Sequence, residues 1–212
     1  GSGAADVMSA VDAVHTTALF NQESYQLTAV GDSVTVSQYV LRQANAPFPF
    51  QFSFVQLGVL TGTAGRLGSG SAGDSYASLR LLSDFDAGGD GRVFLQTEVK
   101  SSESDRTQGN ITGQSADLVA GRWYRFRATI KYVSDTVIQI TGALEDRGTD
   151  GLGFAGTILE LNEGDPQSLI DLSALPGATV LGDSTVFAGW RGFDEGGADL
   201  FDDFAAGSAA GA

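Results

Sequence analysis

The amino-acid sequence predicts an all-β fold, an antiparallel sandwich of two β-sheets. The clearest observation is the stretch 121–150, where apolar and polar side chains alternate with period two and each break falls on a turn-forming cluster. Glycine is abundant at 29 residues and proline scarce at 4, as expected where tight turns need positive φ and strands need free N–H groups. No segment shows a convincing long helical pattern, which leaves strands as the main element.

Ten segments carry strand patterns, separated by clusters of turn-forming residues. They are residues 25–29, 33–43, 48–60, 76–83, 92–100, 123–133, 136–145, 156–161, 185–191 and 199–205. Ser134 and Asp135 connect two alternating runs and predict a β-hairpin. Residues 6–19 fit either a short amphipathic helix or an irregular segment, and periodicity does not decide between the two.

Length and composition predict a single domain. With 212 residues, of which 42% are hydrophobic, the chain can bury one sizeable core, and we expect that domain to span residues 6–205. Residues 1–5 begin with Gly-Ser-Gly and are interpreted as an expression-tag remnant. Residues 206–212 have the small-residue composition of a linker, which predicts other domains in a longer parent chain.

The charge balance argues against two classes of partner. Acidic residues outnumber basic ones 26 to 12, and the net charge of −14 repels nucleic acid and anionic membrane surfaces. The absence of cysteine excludes disulfides and thiolate metal sites. No apolar run approaches the roughly 20 residues of a membrane span. We therefore expect neither a nucleic-acid partner nor membrane insertion.

Three short motifs suggest a family. They are GRWYRFRATI at 121–130, FAGWRG at 187–192 and the closing LFDDFAA at 200–206. Together they resemble the concanavalin A-like (laminin G-like) jelly-roll domains of bacterial extracellular proteins. The resemblance implies two antiparallel sheets, one of them concave and often used to bind carbohydrate, and often a structural calcium near the chain ends. It also implies an extracellular or cell-surface location.

Sugar binding requires exposed aromatic rings and planar polar groups that bond pairs of hydroxyls. The candidate ligand-binding residues are Tyr39, Tyr76, Arg80, Gln96, Glu98, Arg125, Arg127, Lys131 and Trp190. Several basic residues in central strands predict a locally basic cleft that suits uronic or sulfated glycans. The alternatives are an ordinary solvated surface of mixed charge and, for Trp190, a place in the core.

Two acidic segments are candidates for a calcium site. The first, DFDAGGDG, places Asp84, Asp86 and Asp90 in one short loop, with a glycine at the sixth position as in calcium loops. It lacks the remaining EF-hand ligands, and a solvated acidic turn is the alternative interpretation.

The second candidate is the closing strand. The resemblance implies that Asp202 meets a residue near the N-terminus to hold calcium, and Asp203 is its neighbour on the opposite face. Glu23 and Asp12 are both possible partners. The alternative is an edge strand whose carboxylates are solvated or hydrogen-bonded.

Three functions follow from these observations. The first is a non-catalytic carbohydrate-binding module that binds a polysaccharide on the concave sheet, with a structural calcium, and the basic residues of the central strands suit an anionic polysaccharide. The second is a structural or adhesion sandwich without glycan affinity. The third is a polysaccharide-cleaving enzyme, for which the sequence lacks the ExDxE strand of glucan hydrolases and has one histidine, His15, in the undecided N-terminal segment. We therefore expect no catalysis.

Overall fold

A computed structural model describes residues 5–6, 15–42, 54–62, 67, 74–83, 92–101, 107–109, 111–175, 181, 184–194 and 200–211. These residues form strands and two 3-10 turns, Pro166–Ser168 and Leu172–Ala174. The strands are β1 (Ala5–Asp6), β2 (His15–Leu27), β3 (Ser33–Arg42), β4 (Phe54–Leu60), β5 (Tyr76–Ser83), β6 (Arg92–Lys100), β7 (Thr107–Gln108), β8 (Ile111–Asp117), β9 (Arg122–Ser134), β10 (Val137–Asp146), β11 (Gly156–Leu161), β12 (Leu169–Asp171), β13 (Ser184–Asp194) and β14 (Leu200–Ala209).

The strands pair into two antiparallel sheets, as the sequence predicts. Sheet A has the order β1-β14-β3-β9-β10-β11, with β12 also paired to β10. Sheet B has the order β2-β13-β4-β5-β6-β7, with β8 also paired to β6. Several neighbours in the sheets are far apart in the chain, as when β3 lies between β14 and β9.

One face of each sheet packs against the other to form the core. In β9, every second side chain from Tyr124 to Tyr132 is buried, and the strands β3, β4, β5 and β10 contribute in the same way. Gly142 of β10 allows a close approach across the core, because a Cβ there would lie 2.5 Å from Leu79 Cδ2. Fully burying a Val, Leu, Ile or Phe side chain stabilises the fold by about 1.5–3 kcal/mol, so this alternation holds the two sheets together.

Local predictions agree with the structure in the middle of the chain. The hairpin of β9 and β10 is confirmed, and Ser134 pairs with Val137 at its turn. The bounds of β5, β6 and β11 are those predicted. The short strands β7, β8 and β12 were not predicted, because their sequences lack regular alternation.

Both ends of the chain differ from the predictions. Strand β2 begins at His15, so residues 15–19 are neither a helix nor irregular. Ala5, assigned to a tag remnant, pairs with Phe201 in sheet A. Strand β14 continues to Ala209, so residues 206–209 are not a linker. Backbone pairing requires no large side chain, which is why small residues alone did not distinguish a strand from a linker.

The closing strand contains a β-bulge at its acidic pair. Asp202 pairs with Tyr39 and Ala205 with Ser37, so residues 203 and 204 of β14 oppose a single residue of β3. Asp203 is exposed and has a φ of 50°, in the left-handed region that aspartate tolerates better than most residues. The regular alternation assumed for the FDDF stretch is therefore wrong at this point.

Asp32 connects the turn between β2 and β3 to the C-terminal end of the described chain. Its carboxylate accepts hydrogen bonds from the backbone N–H groups of Thr28, Ala29 and Gly211, at 3.0, 2.8 and 2.8 Å. The bond from Gly211, followed by that from Ala29, lowers the pKa of Asp32 below its ordinary value of 3.8.

We predict that Asp32→Asn lowers stability in a pH-dependent way. A carboxyl group with a depressed folded pKa stabilises the protein above its unfolded pKa, and that contribution disappears as pH falls through the folded pKa. The free energy of unfolding in urea, measured from neutral to acidic pH, should therefore show a deficit for the variant that shrinks below about pH 4. A deficit that is constant across this range would contradict the role given to the carboxylate.

Candidate functional site

The predicted ligand-binding residues divide between opposite sides of the molecule. Strand alternation gives each sheet one buried face and one outer face. The outer face of sheet B carries Tyr76, Arg80, Gln96 and Glu98. The outer face of sheet A carries Tyr39, Arg125, Arg127 and Lys131. These residues do not form the single cleft that the sequence predicted.

Trp190 belongs to neither outer face. Its side chain lies in the core between the sheets and is 1% exposed. A ring in this position has no free face on which a sugar could stack. The core alternative considered for Trp190 is the one that the structure shows.

A line of polar residues crosses the outer face of sheet B. Arg191 of β13 pairs with Gln56 of β4, Gln56 with Arg80 of β5, and Arg80 with Gln96 of β6. We call these four residues the polar row. Because neighbouring strands lie about 4.8 Å apart, the row spans roughly 14 Å. It presents two guanidinium and two amide groups in one register.

The neighbouring row of paired residues on this face consists of three small residues followed by a glutamate. Gly189, Gly58 and Ser78 precede Glu98 across the same four strands. Glu98 is 5% exposed, and its two carboxylate oxygens accept hydrogen bonds from the Tyr76 hydroxyl and from Arg80. Glu98 therefore fixes the position of the guanidinium at the centre of the polar row.

Tyr76 is a buried hydrogen-bond donor. It is 1% exposed, and burial, followed by the charge of the neighbouring Glu98, raises the pKa of Tyr76 far above its ordinary value. The phenol therefore stays protonated and bound to Glu98. Its ring packs with Leu60 and Leu67 in a small apolar cluster outside the main core, so it is not the exposed stacking residue that we predicted.

The chain itself covers one end of the polar row. The backbone oxygen of Leu67 accepts a hydrogen bond of 2.9 Å from Arg191, and Gln56 is fully buried. At the other end, the Arg80 side chain is 20% exposed and Gln96 is partly exposed. The accessible part of the row therefore lies over β5 and β6.

The Gln56 amide is incompletely satisfied. Its nitrogen donates to Ser78 Oγ at 2.7 Å, but its carbonyl oxygen has no hydrogen-bond donor within the described part of the chain. A buried polar group without a partner costs about 1–3 kcal/mol.

Cationic side chains outnumber anionic ones among the described residues of this face. On the outer faces of β4, β5, β6 and β13, Arg80, Lys100 and Arg191 are cationic and Glu98 is anionic, and Asp117 of the neighbouring strand β8 adds a second carboxylate. The whole chain carries a net charge of −14. The described charge of this face is therefore opposite in sign to that of the chain.

Ion pairs occupy most charges on the outer face of sheet A. Glu145 lies 3.9 Å from Arg127 and 3.5 Å from Arg147, and Lys131 bonds Glu163 at 3.1 Å. The Arg147 guanidinium lies 5.9 Å from the centroid of the Tyr39 ring. Tyr39 therefore already has a cation–π partner within the protein.

The described residues do not assemble a calcium site. Among the described side chains, no three His, Cys, Asp or Glu residues converge on a point that could hold a metal. Glu23 belongs to sheet B, whereas Asp203 belongs to sheet A, and both are exposed. The remaining candidates lie outside the described residues or have undescribed side chains. They are Asp12, Asp84, Asp86, Asp90 and Asp202.

Calcium binding therefore stays a prediction. A metal that binds the folded state alone raises the melting temperature by mass action, so chelation with EDTA should lower it if calcium is bound. An unchanged melting temperature after exhaustive chelation would count against a structural metal.

Sequence reasoning missed several residues of this face. Gln56, Ser78, Lys100 and Arg191 were not among the candidates. The signal was present in part, because Gln56 and Arg191 each interrupt an apolar strand at an outward position. The pairing that aligns them with Arg80 joins strands far apart in the chain and has no local signature.

Comparison with known proteins identifies the fold but no family. No family model matches the chain, and no curated protein matches it. The legume lectin-like domain from Entamoeba histolytica aligns over 97% of this chain and 83% of its own, with a TM-score of 0.51 and 6% identity. This likeness confirms a concanavalin A-like jelly roll.

Two lyases have similar but weaker structural matches. The endo-β-1,4-glucuronan lyase from the fungus Trichoderma reesei has a TM-score of 0.49 at 12% identity, covering 95% of this chain and 78% of its own. The alginate lyase from Klebsiella pneumoniae has a TM-score of 0.44 at 10% identity. The alignment covers 86% of this chain and 61% of that lyase. At such identities the likeness extends to the fold alone.

Among the described residues, no helix has the length and apolar character needed to cross a membrane.

We predict that Glu98→Ala destabilises the protein by about 3 kcal/mol, because the substitution leaves Tyr76 and the mostly buried Arg80 without their shared acceptor. Glu98→Gln is the matched control, since its amide oxygen still accepts from Tyr76, and it should cost less. Urea denaturation gives both values. Equal and small losses, below about 1 kcal/mol, would contradict the structural role of Glu98.

Proposed function

We propose that this chain is a non-catalytic carbohydrate-binding module that binds an acidic polysaccharide on the outer face of sheet B. The polar row is the observation that carries the proposal. Guanidinium groups bond carboxylates in a bidentate manner, and planar amides bond pairs of glycan oxygens. The extracellular location implied by the family resemblance belongs to the same proposal.

Contact with the glycan falls to Arg80 and Gln96, the accessible members of the row. The side-chain amide of Gln96 makes no hydrogen bond within the described part of the chain, so it is available to a ligand. Glu98 holds the Arg80 side chain before ligand arrives, which lowers the entropy cost of binding. Gln56 and Arg191 lie beside them and continue the row towards Leu67.

The electrostatics support an acidic glycan over a neutral one. The excess of cationic side chains on this face attracts carboxylate or sulfate groups, whereas the acidic remainder of the protein repels them. A polyanion is therefore oriented towards the row and away from other surfaces. A neutral glycan would gain none of this attraction.

The state of Tyr76 supports a non-catalytic role. A general base must reach the proton that it removes, and its pKa must lie near the working pH. The Tyr76 phenol is buried, donates to Glu98 and has a raised pKa. Glu98 in turn is occupied by Tyr76 and Arg80, so neither group is placed to abstract a proton from a ligand.

A structural or adhesion module without glycan affinity is the second candidate. One observation favours it: Leu67 covers the Gln56 end of the polar row, and Arg191 bonds the Leu67 backbone. In this alternative the polar groups serve to hold Leu67 against the sheet. The two candidates differ in whether Gln96 contributes to binding, because its amide has no structural partner in the described chain.

We predict that Gln96→Ala and Arg80→Gln weaken binding to polyuronates. A lost hydrogen bond to a charged group corresponds to roughly a tenfold increase in Kd for Gln96→Ala, and Arg80→Gln should cost more. Affinity gel electrophoresis with alginate or polygalacturonate in the gel measures the change.

Lys131→Gln is the control for this experiment. It removes the same charge as Arg80→Gln, but from the opposite face, where Lys131 pairs with Glu163. Its mobility should respond to the polymer as the wild type does. If no variant changes mobility, or if the wild type ignores every polyuronate, the structural alternative replaces the binding module.

A further inference from the structure

The opposite face of the sandwich carries a groove that the proposed function does not use. It lies along β14 on the outer face of sheet A and has a volume of about 330 Å³. It is lined by residues 205–209 of β14, by Thr35 and Ser37 of β3 and by Arg125 of β9. We call Ala205, Gly207 and Ala209 its floor, and Thr35 and Ser37 its wall. The floor residues are exposed, and the small side chains leave the β14 backbone accessible.

Arg125 differs from the neighbouring Arg127 and Arg147 in that its side chain has no partner among the described residues. Glu145 of β10 lies directly opposite Arg125 of β9 in the strand pairing. The Glu145 carboxylate, however, forms ion pairs with Arg127 and Arg147. Within the described part of the chain, Arg125 forms no ion pair and no hydrogen bond through its side chain. It is nevertheless partly buried. A partly desolvated guanidinium without a partner favours an anion at this position.

The local charge supports the same conclusion. Arg125, Arg127 and Arg147 share one neighbouring carboxylate, that of Glu145, so cations outnumber carboxylates here even when Asp203 of β14 is counted as well. The groove wall adds the hydroxyls of Thr35 and Ser37, and Thr35 Oγ1 lies 2.9 Å from Thr129 Oγ1. The surroundings therefore combine a cation, hydroxyl groups and a smooth, small-residue floor.

We propose that this groove is a second, independent site that binds a pyranose carrying an oxyanion, either a carboxylate or a sulfate ester. Arg125 bonds the oxyanion, the threonine and serine hydroxyls bond ring hydroxyls, and the sugar ring lies on the alanine and glycine floor. The site faces away from the polar row of sheet B. It neither depends on that face nor supplies residues to it.

Gly207 provides a way to close the groove without disturbing the fold. Its φ is not in the left-handed region, and a Cβ added there would meet no atom within 4 Å. Valine favours strands, so Gly207→Val should fold normally while its branched side chain fills the floor. Gly207→Ala is the matched control, because one methyl group leaves most of the groove open.

The test is a titration followed by backbone amide NMR, with sodium glucuronate, glucose 6-sulfate and glucose as probes. We expect shifts at Thr35, Arg125 and Gly207 with one or both acidic sugars and none with glucose. Gly207→Val and Arg125→Gln should weaken this response at least tenfold. Gly207→Ala should retain it, and so should Lys131→Gln, which removes a cation of the same face that pairs with Glu163 and not with Glu145.

Failure of the groove to bind acidic sugars can be distinguished from failure of sheet B to bind polyuronates. Arg80→Gln changes sheet B alone, so the shifts in the groove should persist in that variant even if polyuronate binding is lost. A response to glucuronate alone or to the sulfate alone identifies the oxyanion. The absence of shifts in the groove with either acidic sugar, equal shifts with glucose, or a response unaffected by Gly207→Val would overturn the proposal.

Discussion

Burial of one face of each sheet against the other is the constraint on which the rest of this structure depends. Because successive side chains of a strand point to opposite faces, filling the core with residues such as Phe126 and Leu79 forces Arg125 and Arg80 outward. The two sheets turn their outer faces in opposite directions. Arg80 and Arg125 are thereby assigned to two separate surfaces, and a site is formed from one of them at a time.

The sequence predicts the parts of this arrangement that are local. The alternation of β9 and β10 and the short connection between them identify a hairpin, because both signals lie within neighbouring residues. Which strands share a sheet is decided by contacts between distant segments, as in the pairing of Arg191 with Gln56. For this reason candidates such as Arg80 and Arg125, which do lie on outer faces, were joined into one cleft, and Trp190, which lies in the core, was included with them. Leu67 comes from a glycine-rich stretch, and nothing in its sequence indicates that it covers the sheet.

The arginines of the two outer faces have different kinds of partner. On sheet B, Glu98 bonds Arg80, while Gln56 and the backbone of Leu67 fill the space beside the arginines. On sheet A, Glu145 bonds two arginines and leaves Arg125 to the groove along β14. An acidic protein thus presents two locally cationic surfaces pointing apart. Under the two proposals made above, such a module contacts two anionic glycan chains, or two segments of one chain, at the same time.

The most direct test of the central claim is isothermal titration calorimetry with a polyuronate and its carboxyl-reduced, neutral counterpart. The two polymers share their linkage and size, so they differ in the group that the polar row is expected to bind. We predict heat of binding with the acidic polymer and none with the reduced one. Equal binding of both polymers, or binding of neither, would contradict recognition of an acidic polysaccharide by this protein.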